Sequence, residues 1–315
     1  MSILGKAYFH NEEAAFEHVE AVLWPDGPYC PHCGAVDRIG KIKPNPEKRV
    51  RLGLHKCGHC KGQFTVRVGT VFEASKVPLH KWLQALHLMT SSKKGISAHQ
   101  LHRVLEVTYK TSWFMCHRIR EAMRSDELTP FGGNGGIVEV DETFIGHDKT
   151  VKPHRSKKGR GHHHKHKVLS LMDRETGKAR SMVVDDLKAA TLAPILRDNI
   201  AKEATLLTDE FRVYQGVGRE FSDHHQVRHK MGEYVNRKNP EIHTNTIEGY
   251  FSIFKRGMKG VYQHCAKKHL HRYVAEYDFR YNNRSANGIE DQERAAIALA
   301  GASGKRLKYA CNRPN

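Results

Sequence analysis

Two cysteine pairs and three acids are the residues of this chain whose types and spacing could do chemistry. Cys30-Pro-His-Cys33 and Cys57-Gly-His-Cys60 are C-x-x-C knuckles with 23 residues between them. Two tight turns that each present a thiolate pair can complete a tetrahedral shell closed to solvent. One structural Zn2+ held by Cys30, Cys33, Cys57 and Cys60 is therefore expected. The separation is slightly longer than usual for such sites, and a longer hairpin through the basic stretch from Lys41 to Arg51 would absorb the difference. His32 and His59 are alternative ligands, although four cysteines suffice. Neither pair lies in a βαβ context, which argues against a redox role.

The acids call for different chemistry. Asp141 follows Val138-Glu-Val140 in an apolar strand, and Asp209 closes the short run Thr205-Leu-Leu-Thr208. Glu248 lies in Asn245-Thr-Ile-Glu248-Gly-Tyr-Phe, which reads as a helix starting under Thr244 or Asn245. Two acids at strand ends and one on a nearby helix can converge on a pair of divalent ions. Hard oxygen ligands suit Mg2+, which keeps its waters and accepts phosphate oxygens from a substrate. Phosphodiester cleavage needs such a pair, one ion activating the attacking oxygen and the other stabilising the leaving one. Lys255, two helical turns beyond Glu248, falls on the same face and could touch a phosphate, with Arg256 next to it. Glu142, Asp148, Asp173, Asp185, Asp186 and Glu210 are other acids that could take these places.

The elements that must position these residues separate into three textures. Residues 1–75 hold the cysteine pairs among glycines and short β-like runs such as Gln63 to Val68, a zinc ribbon. Residues 76–128 read as helices, with Leu79, Trp82, Leu83 and Leu86, then Leu101, Val104 and Leu105, then Trp113, Cys116, Ile119 and Met123 at helical spacing. Within them, the stretch from Ser97 to Trp113 has the form of a helix-turn-helix, with Ser97 capping the first helix and Thr108 or Thr111 the second. His117, Arg118, Arg120 and Arg124 would then decorate the polar side of a recognition helix. Gly132 to Gly136 reads as a linker. The remainder, residues 129–315, has the texture of a mixed α/β domain. Strands are expected near Val138 to Ile145, Val168 to Met172 and Ala179 to Val184, with a turn at Gly177. A helix from Leu192 to Ile200, a strand from Thr205 to Thr208 and two closing helices follow; the last helix carries Leu270, Tyr273, Val274 and Tyr277 on one face.

Charge identifies the partner class. Lys and Arg number 52 against 34 Asp and Glu, a formal charge of +18 spread along 315 residues. Such a field attracts polyanions, and nucleic acid is the expected partner, double-stranded DNA if the helical segment is a helix-turn-helix. No apolar run is long enough to span a bilayer and no basic amphipathic helix rich in large apolar residues is evident, so no membrane partner is expected. The segment from Lys149 to Lys167 contains no acid; its Lys157, Lys158 and Arg160 read as a loop lying on phosphates, and the neighbouring cations argue against a metal on its histidines. The seven cysteines, an odd number split between a quartet and three singles, fit a reducing compartment. The N-terminus lacks the marks of a signal peptide, so a cytoplasmic protein is expected, and a DNA partner would associate it with the nucleoid.

With these motifs in hand, the whole chain resembles bacterial insertion-sequence transposases of the ISXO type, which join a zinc ribbon to a DDE catalytic domain. The matching stretches are Trp24 to Gly34, Phe64 to Phe72, Val140-Asp-Glu-Thr-Phe-Ile-Gly146, Thr208-Asp-Glu-Phe211, His243 to Lys255, and Lys268 to Arg284. The resemblance implies an RNase H-like mixed sheet with flanking helices. It also implies cutting and 3′-hydroxyl strand transfer at the ends of a mobile element, by a homo-oligomer assembled on element ends and target DNA. It places the three acids on Asp141, Asp209 and Glu248, holding two Mg2+ or Mn2+ ions, with Asn245 as a conceivable alternative in the third position. A DNA-binding regulator with an inactive catalytic domain, or a Mg2+-dependent nuclease without a joining step, are the competing readings.

Overall fold

The computed structural model describes residues 2–127, 129–148, 164–227, 235–236 and 239–308. Two compact units form. One takes the chain up to Arg124 together with the chain from Gly288 on, and the other is Ser125–Asn287.

The first unit opens with α1 (Glu12–Leu23), whose first turn is capped by the Asn11 side chain accepting the Ala14 N–H at 2.9 Å. Three short antiparallel strands follow, β1 (Ile39–Lys41), β2 (His55–Cys57) and β3 (Gln63–Phe64). Next come α2 (Leu79–Ser91), α3 (Ala98–Leu105) and α4 (Tyr109–Met123). Ser97 caps α3 through Gln100 N–H and Thr108 caps α4 through Thr111 N–H, as the sequence predicts. Between them Glu106 takes a left-handed conformation (φ 52°), which stops α3 and turns the chain. The start of α2 has no capping side chain of its own, since Pro78 precedes it. Glu12 of α1 does that work from a distance, accepting Leu79 N–H at 2.7 Å and His80 N–H at 3.1 Å.

The second unit is a five-stranded sheet between helices. Its strands are β4 (Ile137–Ile145), β5 (His166–Asp173), β6 (Lys178–Val184), β7 (Thr205–Asp209) and β8 (Asp223–Val227), in the order β6-β5-β4-β7-β8. β4, β5 and β6 form an antiparallel meander, while β7 and β8 join parallel to β4. Val138, Val140, Leu169, Leu171 and Leu206 turn to one face, packing with Leu192 and Leu196 of α5 (Ala189–Asn199) and Tyr214 and Val217 of α6 (Val213–Val217). Ile145, Val168 and Met172 turn to the other face. They pack with Ile247, Phe251 and Phe254 of α7 (Asn245–Gly257) and Leu270, Val274 and Tyr277 of α8 (Lys267–Asn282). Each of these large buried side chains contributes about 1.5–3 kcal/mol of apolar transfer free energy. A short π turn, Met258–Tyr262, links the two helices; below it Glu276 and Arg280 pair in the core, and Tyr262 donates its hydroxyl proton to Glu276.

A last helix, α9 (Asp291–Ala300), belongs to the first unit, where it packs on α1, α2 and α4. The sequence grouped it with the sheet. The buried Arg294 explains its placement: its guanidinium donates to Thr90 O of α2 and to Ile289 O, and it pairs with Asp291 at 2.6 Å. Among the described residues no helix is long and apolar enough to cross a membrane.

Candidate active site and zinc centre

The cysteine quartet closes as its spacing predicts. Sγ atoms of Cys30 and Cys60 lie 3.6 Å apart and those of Cys33 and Cys57 3.7 Å apart. A tetrahedron with the 2.3 Å arms of zinc thiolate has edges of about 3.8 Å, so the four sulfurs fit one ion with little rearrangement. Gly34, at φ 75°, gives the first knuckle the left-handed residue its turn requires. Backbone N–H groups of Cys60 and His59 pull the Cys57 thiol down to about 6, while Cys60, against the pull of the Gly62 N–H, is pushed up to about 11 by burial and the neighbouring thiols, so without a cation the quartet shares its protons unequally. Cys30, Cys57 and Phe64 are buried together, with Trp24 and Ile39 packed against them. This is a structural zinc site: all four positions are thiolate and none is left for a substrate. Among the described residues it is also the one group of three or more such side chains whose ligand atoms all lie within 4.8 Å of one another.

The three acids sit in the second unit on one face of the sheet. Alternation along β4 sends Val138 and Val140 to the α5 side and Glu139 and Asp141 to the α7 side. β4 and β7 run parallel with Val140 paired to Thr208, so the next step of the register sets Asp141 beside Asp209. Glu248 projects from the first turn of α7, the helix that covers this face. Burial pushes the Asp141 carboxyl up to about 8, and the charges of Glu142, Asp209 and Glu248 add to the push. The Asp141 carboxyl therefore feels the charges of both Asp209 and Glu248, although, among the described residues, the three do not bring their ligand atoms all within 4.8 Å of one another. Such a donor set suits a divalent cation, whose charge would relieve the repulsion that now favours a proton on Asp141.

Neighbouring side chains complete the picture. Tyr214 of α6 donates a 2.6 Å hydrogen bond to Glu142, whose carboxyl is pushed up to about 7 by burial and by Asp209. Asp209 accepts the Phe211 N–H at 2.9 Å, which fixes the turn after β7. Lys255 is exposed on α7 with its ammonium 5.6 Å from the centre of the Phe251 ring. Partial desolvation lowers its pKa, while Asp141 and Glu248 draw it the other way, so this cation lies within the field of the acids. Arg256 is exposed as well and bonds back to Ser252.

The basic face expected on α4 is turned inward. Arg118 and Arg120 are buried, as is everything from Met115 to Arg120. The Arg118 guanidinium donates to Val71 O and Glu73 O at 2.8 Å and to Leu307 O at 3.2 Å, tying three segments of the first unit together. Helical periodicity could not foresee this, because the acceptors are main-chain carbonyls far away in sequence. Arg124 remains exposed at the C-terminal end, 3.4 Å from Glu121. The exposed residues of α4 lie instead in its first turn, Tyr109 and Lys110, with the His99 ring of α3 stacked on Tyr109 at 4.2 Å. Lys157, Lys158 and Arg160 lie outside the described residues.

Sequence reasoning also missed a buried polar group next to Asp141. Glu139 has no exposed surface and contacts Ile247 N–H, Arg174 and His243. The signal was present: a charged residue two positions before Asp141 shares its face, in a strand whose neighbours are all covered.

Comparison with known proteins agrees with this layout. The family model described as the ISXO2-like transposase domain matches residues 134–282, and that described as the transposase zinc-ribbon domain matches residues 10–63. A protein of Halobacterium salinarum, described as an uncharacterized protein in transposable element ISH50, is 28% identical over 290 residues, 86% of this chain and 91% of the relative. An uncharacterized transposase-like protein of Haemophilus influenzae is 26% identical over 106 residues, 34% of this chain and 82% of the relative. A chain of the simian T-cell lymphotropic virus intasome in complex with PP2A regulatory subunit B56 gamma matches at 11% identity and a TM-score of 0.29. That match covers 63% of this chain and 65% of the other, a likeness too weak to define a fold. With the zinc ribbon and the ISXO2-like domain in the same order along one chain, and a relative from a transposable element matching nearly end to end, this protein belongs to the IS1595-type transposases.

Proposed function

We propose that this chain is a DDE-type DNA transposase that binds the ends of an insertion sequence, cleaves the strand there and joins the freed 3′-hydroxyl to target DNA. The observation that carries the reading is the convergence on Asp141: Asp209 from the neighbouring strand and Glu248 from the covering helix both act on its carboxyl. In this reading the sheet is RNase H-like, and Asp141, Asp209 and Glu248 hold two Mg2+ or Mn2+ ions. Bound there, the ions supply activation of the attacking oxygen and stabilisation of the leaving one, for water in the first step and the 3′-hydroxyl in the second.

The chain's own residues do the rest. Asp141 gives up its proton when the site is loaded. Tyr214 holds Glu142 by hydrogen bonding, which keeps that acid oriented toward α6. Lys255 and Arg256 meet DNA phosphates at the edge of the site. In the first unit, α3 and α4 act as a helix-turn-helix that enters a groove with the first turn of α4, where Tyr109 and Lys110 are exposed. The protein works as a homo-oligomer on double-stranded DNA, in the cytoplasm and at the nucleoid.

Incubation with a labelled fragment carrying one element end and Mg2+ tests the reading. Site-specific nicking at the element boundary by the wild type, absent in Asp141→Asn, is the expected result. Tight end binding with no cleavage in Mg2+ or Mn2+ would favour a DNA-binding regulator instead.

A further inference from the structure

We propose that Glu139 is a positioning residue for the third acid: its buried carboxylate fastens the start of α7 to β4 and thereby sets where Glu248 stands relative to Asp141. The inference rests on the assignment of Glu248 to the active site.

A helix begins with N–H groups that have no partner within the helix. For α7 the residue at the cap, Thr244, makes no side-chain capping bond. The Glu139 carboxylate takes its place from the adjacent strand, one oxygen accepting the Ile247 N–H at 2.8 Å. Its other oxygen accepts from Arg174 Nε at 2.6 Å. Both oxygens are thus engaged and the side chain has no exposed surface, so Glu139 is not placed to ligate a metal itself.

Arg174 extends the fastening to the segment that leads into the helix. It donates to Glu241 O at 2.5 Å, to His243 O at 2.7 Å and to His243 Nδ1 at 2.7 Å. Its own N–H is bonded to Ile137 O at 3.0 Å, which anchors it to the base of β4. A guanidinium only donates, so His243 Nδ1 is an acceptor, and the neutral ring carries its proton on Nε2. Burial and Arg174 both lower the pKa of His243, which keeps the ring neutral in this role.

The arrangement links the two acids by a short path. Glu139 is two residues from Asp141 on the same face of β4, and Ile247 immediately precedes Glu248 on α7. A well-packed apolar pair would hold helix to strand as firmly as a buried ion pair does. What a carboxylate adds is direction: it fixes the axial position and the rotation of the first turn, from which Glu248 projects.

The test uses the full-length, zinc-loaded chain with Mn2+ as the probe, followed by electron paramagnetic resonance and calorimetry, with hydrogen exchange at Ile247. Wild type should bind Mn2+ at a site that Asp141→Asn removes. Glu139→Ala should weaken Mn2+ binding about 10–100-fold and speed exchange of the Ile247 amide, with zinc content unchanged. The double variant Glu139→Gln/Arg174→Met keeps an acceptor for Ile247 without a buried charge, and should recover most of the lost affinity. Undiminished Mn2+ affinity in a folded Glu139→Ala protein would overturn the proposal. So would a folded double variant that protects the Ile247 amide yet still binds Mn2+ at least about 10-fold more weakly than the wild type. If Glu139→Ala does not fold, the double variant decides alone by the same criteria. Absence of any Asp141-dependent Mn2+ site in the wild type would refute the active-site assignment and this positioning role with it, whereas loss confined to Glu139 variants bears on the fastening.

Discussion

Asp141 and Asp209 each stand one residue beyond the last pair of two parallel strands, Val140 with Thr208, on the α7 side of the sheet, and the charge of Asp209 acts on the Asp141 carboxyl. Neighbouring strands are only about 4.8 Å apart, so two ionised carboxylates cannot sit there without cost. Burial, Glu142, Asp209 and Glu248 together hold the Asp141 carboxyl at about 8. The site that would bind cations is therefore one that holds a proton without them.

Mg2+ binding should accordingly release close to one proton per chain at pH 7, and the apparent affinity should rise with pH and level off above about 8. Calorimetry in buffers of different ionisation enthalpy measures that proton. The sign for stability follows from the same shift. The unfolded chain loses this proton near the ordinary value of 3.8 and the folded chain only near 8, so between those values rising pH weakens the metal-free fold. Asp141→Asn should flatten that decline, and an unchanged pH profile of thermal unfolding would contradict the assignment.

Arg118 should behave as a structural residue. Replacing it with Ala leaves three main-chain carbonyls without their donor and should cost about 2–4 kcal/mol of stability in the first unit. Denaturant unfolding followed by tryptophan fluorescence measures this. Wild-type stability with selectively weakened DNA binding would mean that the guanidinium reaches DNA after all.

Much of this architecture was legible in the sequence, and the failures share a cause. The cysteine quartet, both helix caps at Ser97 and Thr108, and four of the five strands follow from spacing and alternation. β8 does not, because Asp223-His-His-Gln-Val227 has no apolar alternation and exists as a strand through pairing with β7 at the sheet edge. Helix α1, from Glu12 to Leu23, gives little signal in the sequence, because its apolar stripe is short, with Ala15, Phe16 and Val19 buried. Arg118, Arg294 and Glu139 are all charged residues that the polar pattern places outside, and all three are buried against backbone groups from distant segments. Periodicity reports which faces are apolar; it is silent about where an unsatisfied carbonyl or N–H will be found.

Zinc should be present at one ion per chain and should leave when the knuckles are broken. Elemental analysis of purified protein is expected to give that ratio, and Cys33→Ser/Cys60→Ser should lose the metal and the protease resistance of the β1–β3 module. Full zinc content in that variant would contradict the site.

DNA binding should weaken steeply with salt, each lost phosphate contact reducing the slope of log affinity against log salt by about one. Lys110→Ala should show such a reduction because Lys110 is exposed in the first turn of α4. Unchanged affinity and slope would remove that turn from the DNA interface.

The most direct test of the central claim is joining from pre-cleaved ends. Duplex carrying an element end with a free 3′-hydroxyl, supercoiled target and Mg2+ are supplied, and joined product is measured for wild type, Asp141→Asn, Asp209→Asn and Glu248→Gln. The wild type should join, and none of the three variants should join above background, although each should still bind the ends. Normal joining by Glu248→Gln would move the third position to another residue, with Asn245 tested first, and normal joining by all three would contradict the account.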